Sequence, residues 1–348
     1  MQRYLRYVRF PLICCAFGLA AVFASHGGFS PAGLQAGWIT LVLLALEISL
    51  SFDNAVVNAR VLETMTPGQQ RFFLSWGLVV PVFGVRFLGP LLLVSLAGHI
   101  GVGEALDAAL HHPAHYHELL ELAEPRILAF GGTFLLMVFL RYFFDEAKTL
   151  HWVQRLEQRL SAAGRVPSLE VALALVILML VALVLPASLR SDVLFAGLIG
   201  LVLQILSTSL ADLFGGEEEA VGRMAVNGGL ASMVYLELLD ASFSLDGTIG
   251  AFAITSDLGL IMTGLGLGAL FIRALTVMLT REKALDQLIY LEHGAHYAIG
   301  ALGLLMLAGV VIGRWGWHVP EWLSGLIGVV LLLLALADSL RHNRRQAA

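Results

Sequence analysis

Charge is scarce in this chain of 348 residues: Asp, Glu, Lys and Arg make up 14% of it, against 58% for the hydrophobic types. Soluble domains carry about 25% charged residues, so a solvated globular surface is excluded, and a mean hydropathy of +0.82 marks a membrane protein. Cysteine is almost absent. Cys14 and Cys15 are adjacent within an apolar run, which excludes a disulfide framework and a cysteine metal site. No Walker motif, nucleophile elbow or HExxH occurs, so ATP-driven pumping is not expected. A membrane-embedded hydrolase is the least favoured reading, because the motif helices lack histidine ligands and a general base. The expectation is a non-enzyme with no prosthetic group and no nucleic-acid partner.

What is present is long apolar runs. At about 20 residues per crossing, ten spans are predicted, near 10–25, 34–59, 72–98, 127–144, 169–189, 192–212, 225–254, 257–279, 295–313 and 320–338. With a cytoplasmic N-terminus, sixteen Lys and Arg fall on inside segments, among them Arg3, Arg6, Arg9, Lys148 and Arg341. Only Arg126, Arg190 and Arg314 fall outside. This positive-inside bias predicts a multi-pass protein of the inner or plasma membrane with both termini cytoplasmic. The first span, preceded by three Arg, could instead be a cleaved signal peptide, although no clear A-x-A site follows it.

Polar residues recur inside the apolar runs. EISLSFDN at 47–54 lies over DASFSLDG at 240–247, and VFGVRFLGPLL at 82–92 resembles ALFIRALTVML at 269–279, which makes Arg86 and Arg273 equivalent. Several rare residues recurring in order point to duplication. Each copy holds three crossings and the second begins five crossings after the first. An odd offset inverts the second copy, as in many secondary transporters, whose substrates bind near the midplane between repeats. The expected organisation is an all-α polytopic protein: an N-terminal helix at 1–33, repeat 1 at 34–144, and a basic cytoplasmic segment plus two peripheral spans at 145–224. Repeat 2 at 225–313 and a last span with a basic tail at 314–348 complete it.

Glu47, Ser51, Asn54 and Asn58 fall at i, i+4, i+7 and i+11, one polar stripe on an otherwise apolar helix. In the second copy Glu237, Asp240 and Ser244 form the stripe and Gly247 continues it. Asp53 and Asp246 lie about 100° off their stripes, so either each helix unwinds near its Asp or these carboxylates face another neighbour. An ionised acid at bilayer depth costs about 2.5–3.5 kcal/mol on insertion scales. Five acids against Arg86 and Arg273 leave an excess of negative charge that a divalent cation and a proton would offset. Oxygen donors without Cys or His suit manganese, magnesium or calcium. The plain alternative pairs Asp53 with Arg86 and Asp246 with Arg273 as helix-locking ion pairs, with the serines bonded to backbone carbonyls.

At these motifs the sequence resembles the TerC family of integral membrane proteins, associated with tellurium resistance and including manganese exporters. LEISLSFDNAVV (46–57) resembles its first acidic helix and LLDASFSLDGTIGAFAIT (238–255) its second. GLGLGALFIRAL (264–275) and YLEHGAHYAIGALGLLML (290–307) resemble the helices that follow. The resemblance implies efflux of a divalent cation, chiefly Mn2+, with Glu47, Asp53, Asn54, Asp240 and Asp246 as ligands. Ser51, Asn58, Glu237 and Ser244 would line the path. The second motif ends Asp-Gly where the family commonly has Asp-Ser, and the peripheral spans are additional, which places the chain in a divergent branch. Proton exchange is compatible with closely spaced carboxylates. The rival expectation is a non-transporting membrane partner or stress-resistance factor whose acids are structural. Oligomeric state stays open, a homo-oligomer included.

The remaining signals are weaker. The outside segment from His99 to Glu124, with His111, His112, His115 and His117, reads as a polar loop or a weak cation vestibule. Glu292, His293 and His296 read as a helix entry or a proton relay. GLGLG at 264–268 reads as close helix packing, and 145–168 as a basic, helix-prone segment along the inner membrane surface.

Overall fold

A computed structural model describes residues 2–63, 65–76, 100–215, 257–283, 287–313 and 321–347, with isolated positions at 88–95, 251, 254, 255, 315 and 316. The described residues are helical, without strands. The helices are α1 (Gln2–Ser25), α2 (Pro31–Leu50), α3 (Phe52–Glu63), α4 (Pro67–Trp76), α5 (Val102–His111) and α6 (Pro113–Phe143). They continue with α7 (Gln154–Ala163), α8 (Leu169–Val184), α9 (Ala187–Gly215), α10 (Leu258–Arg281), α11 (Leu291–Gly313) and α12 (Glu321–Ala347). Seven of them contain a stretch long and apolar enough to cross a bilayer, which makes the chain a multi-pass membrane protein.

Local chemistry sets the ends. Gly27 and Gly28 take positive φ in the turn after α1, a conformation open to a residue without Cβ. Ser30 Oγ then accepts the Gly33 N–H, and Pro31 opens α2, where its missing N–H is no loss. Asp257 caps α10 by accepting the Leu260 N–H at 3.1 Å.

The bundle has two cores. One joins α6, α8, α9 and α11 with α3; the other joins α1, α2, α5 and the first half of α6 with the first half of α10. α6 and α11 cross where a Cβ on Gly303 would stand 3.0 Å from Gly132 O, and one on Gly132 would stand 3.0 Å from Gly303 O. Two backbones touch there with no side chain between them.

Polar contacts sort by helix end. Arg6 meets Glu282, Arg60 meets Glu292 and Trp152 Nε1 donates to Asp338 at one end. His26 meets Asp257 and Arg126 meets Asp192 at the other.

Three expectations change. The segment His99–Glu124 is no loop over its described length: α5 occupies much of it, and α6 begins at Pro113 and continues past Pro125 to Phe143. The predicted span 34–59 is two helices, α2 and α3, separated at Ser51. α8 has 16 residues, about 24 Å of helix, shorter than the predicted fifth span. One face of it is buried, at Ala174, Leu178 and Val181, while Met179, Leu180 and Leu183 are exposed.

Candidate functional site

Glu47 lies in the last turn of α2 and is 2% exposed. It fits because α10 presents glycine there: a Cβ on Gly268 would stand 2.5 Å from Glu47 Cβ, and one on Gly264 2.5 Å from Leu43 Cβ. The GLGLG run is thus a packing face, as its sequence suggests. Gly268 is the eleventh of the 24 residues of α10, about 15 Å from the start of that helix, so Glu47 sits near half depth. Ser51 Oγ donates to Glu47 Oε1 at 2.8 Å.

Ser51 is also where the helix breaks, with φ −104° and ψ 9°. The interruption falls two residues before Asp53 and agrees with unwinding near that residue. Asp53 and Asn54 occupy the first turn of α3, where unpaired backbone N–H groups carry partial positive charge. Asn58, one helical face further along α3, is 5% exposed. Glu47, Ser51 and Asn58 therefore all face protein.

Arg273 lies five residues beyond Gly268 on α10, partly buried. Its Nε is buried without a hydrogen bond to any described residue. The side chains of Asp53 and Asn54, together with Arg86, Glu237, Asp240, Ser244 and Asp246, lie outside the described residues. Among the described residues no three His, Cys, Asp or Glu come together as a metal site.

A second buried carboxylate lies at the end of the bundle. Glu157 of α7 is fully buried. Its oxygens accept the Trp152 N–H at 3.1 Å, the Val153 N–H at 3.0 Å and the Tyr297 hydroxyl at 3.1 Å. Three further groups surround it within ion-pair range: His293 Nε2 at 3.4 Å, Lys148 Nζ at 3.7 Å and His151 Nδ1 at 3.7 Å. His293 Nε2 bonds Leu150 O at 3.0 Å, which assigns it the proton and leaves Nδ1 to accept from Tyr142 Oη at 3.3 Å. Tyr142 stacks on His296, ring centroids 3.6 Å apart. Lys148 Nζ stands 3.6 Å from the centre of the Tyr142 ring. Burial lowers the Lys148 pKa from 10.5 to about 8, against the opposing pull of Glu157.

Sequence reasoning missed this cluster as a unit. His293 and His296 carried a weak signal, but Glu157 looked like one acid on a mixed-charge amphipathic helix. Segment 145–168 is thereby strapped to α6, α11 and α12 through Glu157, Tyr297 and the Trp152–Asp338 bond.

No curated protein and no solved structure is significantly similar to the chain. A family model described as "Protein of unknown function (DUF475)" matches residues 52–346, which include α3, the Glu157 cluster and α10 to nearly the end of α12. The chain, itself a multi-pass membrane protein, belongs to the DUF475 family.

Proposed function

We propose that the protein is a secondary transporter exporting a hard divalent cation, Mn2+ foremost, through a mid-depth site between two inverted repeats, in exchange for protons. The observation that carries this is the helix break at Ser51 beside a buried Glu47 at half depth. Interrupted helices at membrane depth are how transporters expose backbone and side-chain oxygens to an ion. Glu47, Asp53, Asn54, Asp240 and Asp246 are the proposed ligands. Ser51, Asn58, Glu237 and Ser244 line the path, and Arg86 and Arg273 balance charge.

Ten crossings with cytoplasmic termini are part of the proposal. The sorting of polar contacts by helix end supports alternating crossings, and the Lys and Arg distribution supports the orientation. The reciprocal contact of Gly132 and Gly303 supports an inverted duplication, since α6 and α11 close the two proposed repeats. The resemblance to the TerC family supports the cation and the direction.

The test is radioactive manganese flux into sealed inside-out vesicles from wild type, Glu47→Gln, Asp53→Asn and Asp246→Asn. Loss of flux in folded, inserted variants is the expected result. Wild-type flux equal to that of empty vesicles would favour the alternative of structural acids, for which the Ser51–Glu47 bond speaks. Unchanged flux in all three variants would remove these residues from the pathway.

A further inference from the structure

Two spans end side by side at the basic end of the bundle. The apolar stretch of α1 begins at Arg6 and that of α10 ends at Arg281. A cavity of about 500 Å3 between them is lined by Arg6, Tyr7, Arg281 and Glu282. Glu282 is the buried base of this cavity, its side chain 5% exposed. It accepts from Arg6 Nη2 at 2.6 Å and from Tyr7 Oη at 2.7 Å, and Arg6 Nη2 also donates to Tyr7 Oη at 2.8 Å. These bonds commit one nitrogen of Arg6 and hold its guanidinium in place, while most of the side chain stays exposed. Arg281 is exposed and has no hydrogen bond or ion pair with a described residue. Two guanidiniums against one carboxylate leave the cavity lining positive.

Below Arg6 runs an apolar track. Arg6, Phe10, Ile13 and Phe17 fall at i, i+4, i+7 and i+11 on α1, one helical face, and Phe10, Ile13 and Phe17 are each more than half exposed. A held cation at the mouth of a cavity, continuous with an exposed apolar stripe along the same helix, matches a molecule with a phosphate head and a hydrocarbon tail. We propose that this cavity binds an anionic phospholipid, its phosphate between Arg6 and Arg281 and one acyl chain along Phe10, Ile13 and Phe17. Planar guanidinium donors suit phosphate oxygens, and basic clefts between spans are recurrent headgroup sites. Inorganic phosphate would satisfy the arginines and leave the track unused.

The test uses the full chain, delipidated in neutral detergent, with phosphatidylglycerol binding read by native mass spectrometry beside phosphatidylcholine and inorganic phosphate. Retention of phosphatidylglycerol over phosphatidylcholine is expected, weakened about fivefold by Arg281→Gln and unchanged by Arg9→Gln, an exposed arginine outside the lining. Arg6→Gln also strips a partner from buried Glu282, so Arg281→Gln carries the test without that risk to folding. Equal retention of the two lipids, or an Arg281→Gln variant that binds as wild type does, would overturn the proposal. Displacement of phosphatidylglycerol by equimolar inorganic phosphate would make this a free-phosphate site and overturn it too.

Discussion

Glu47 and Glu157 are both buried carboxylates, yet they are held in opposite ways. Glu157 is gripped by backbone N–H groups, a tyrosine hydroxyl and three basic side chains, some of them more than 130 residues away. Glu47 is bonded by a hydroxyl one turn along the chain and lies beside a glycine at a break in its helix. A carboxylate whose lone pairs are shared among many fixed donors serves the fold, and its loss leaves those donors stranded. A carboxylate beside a break in its own helix is placed where a shift of that break would move it relative to its partners. On the proposed transport reading, Glu157 belongs to architecture and Glu47 to exchange.

The largest expected effect tests this assignment directly. Glu157→Leu leaves two N–H groups and Tyr297 without their acceptor and Lys148 without its ion-pair partner, and should cost about 3–5 kcal/mol, measured as denaturant unfolding of the purified protein. Glu47→Gln keeps the Ser51 bond and should cost about 1 kcal/mol while abolishing flux. Reversal of that order would break the comparison. Next in size is Gly268→Val, whose Cβ would collide with Glu47 Cβ and Cγ. Overpacking of this kind costs about 1–3 kcal/mol and should appear in the same unfolding experiment, with Gly313→Val, where nothing lies within 4 Å of the added Cβ, as the control.

pH sharpens the contrast further. Lys148 has its pKa lowered from 10.5 to about 8, so between those values the unfolded chain binds more protons than the folded one. Stability at this cluster therefore rises as pH climbs through that window, and protonation of Lys148 below it works against docking of the strap. Hydrogen exchange across residues 145–168 should slow from pH 8 to pH 10 relative to the intrinsic rate, and Lys148→Met should flatten the trend. The smallest effect belongs to the exposed His26–Asp257 pair at the other end. The hydrogen bond to Asp257 raises the His26 pKa above 6.5, so its contribution is full below the ordinary value and fades as pH rises through the raised one. Such pairs contribute about 0.2–1 kcal/mol, and a His26→Ala unfolding series across pH 5 to 8 would detect it.

How much of this was legible follows from distance along the chain. The burial of Glu47, Ser51 and Asn58 was readable because helical periodicity puts them on one face. The packing role of Gly264 and Gly268 was readable because small residues four apart expose backbone. The break at Ser51 was visible only as a misfit, Asp53 lying off the stripe, because periodicity presumes a straight helix. Helix α5 and the first half of α6, ahead of the predicted span at 127–144, were hidden by histidines and prolines that look like loop residues, although Pro113 stands where a helix tolerates proline. The Glu157 cluster was not legible, because nothing local ties Glu157 to His293 and Tyr297; tertiary packing alone brings them together.

The glycine crossing of α6 and α11 bears on motion. Where two main chains meet directly, no rotamer can flip to make room, so that pair behaves as a keel and turns as a single piece. Any rocking of the molecule has to be taken up at softer places, and among the described residues the interrupted turn at Ser51 is such a joint, one turn from the buried acid Glu47.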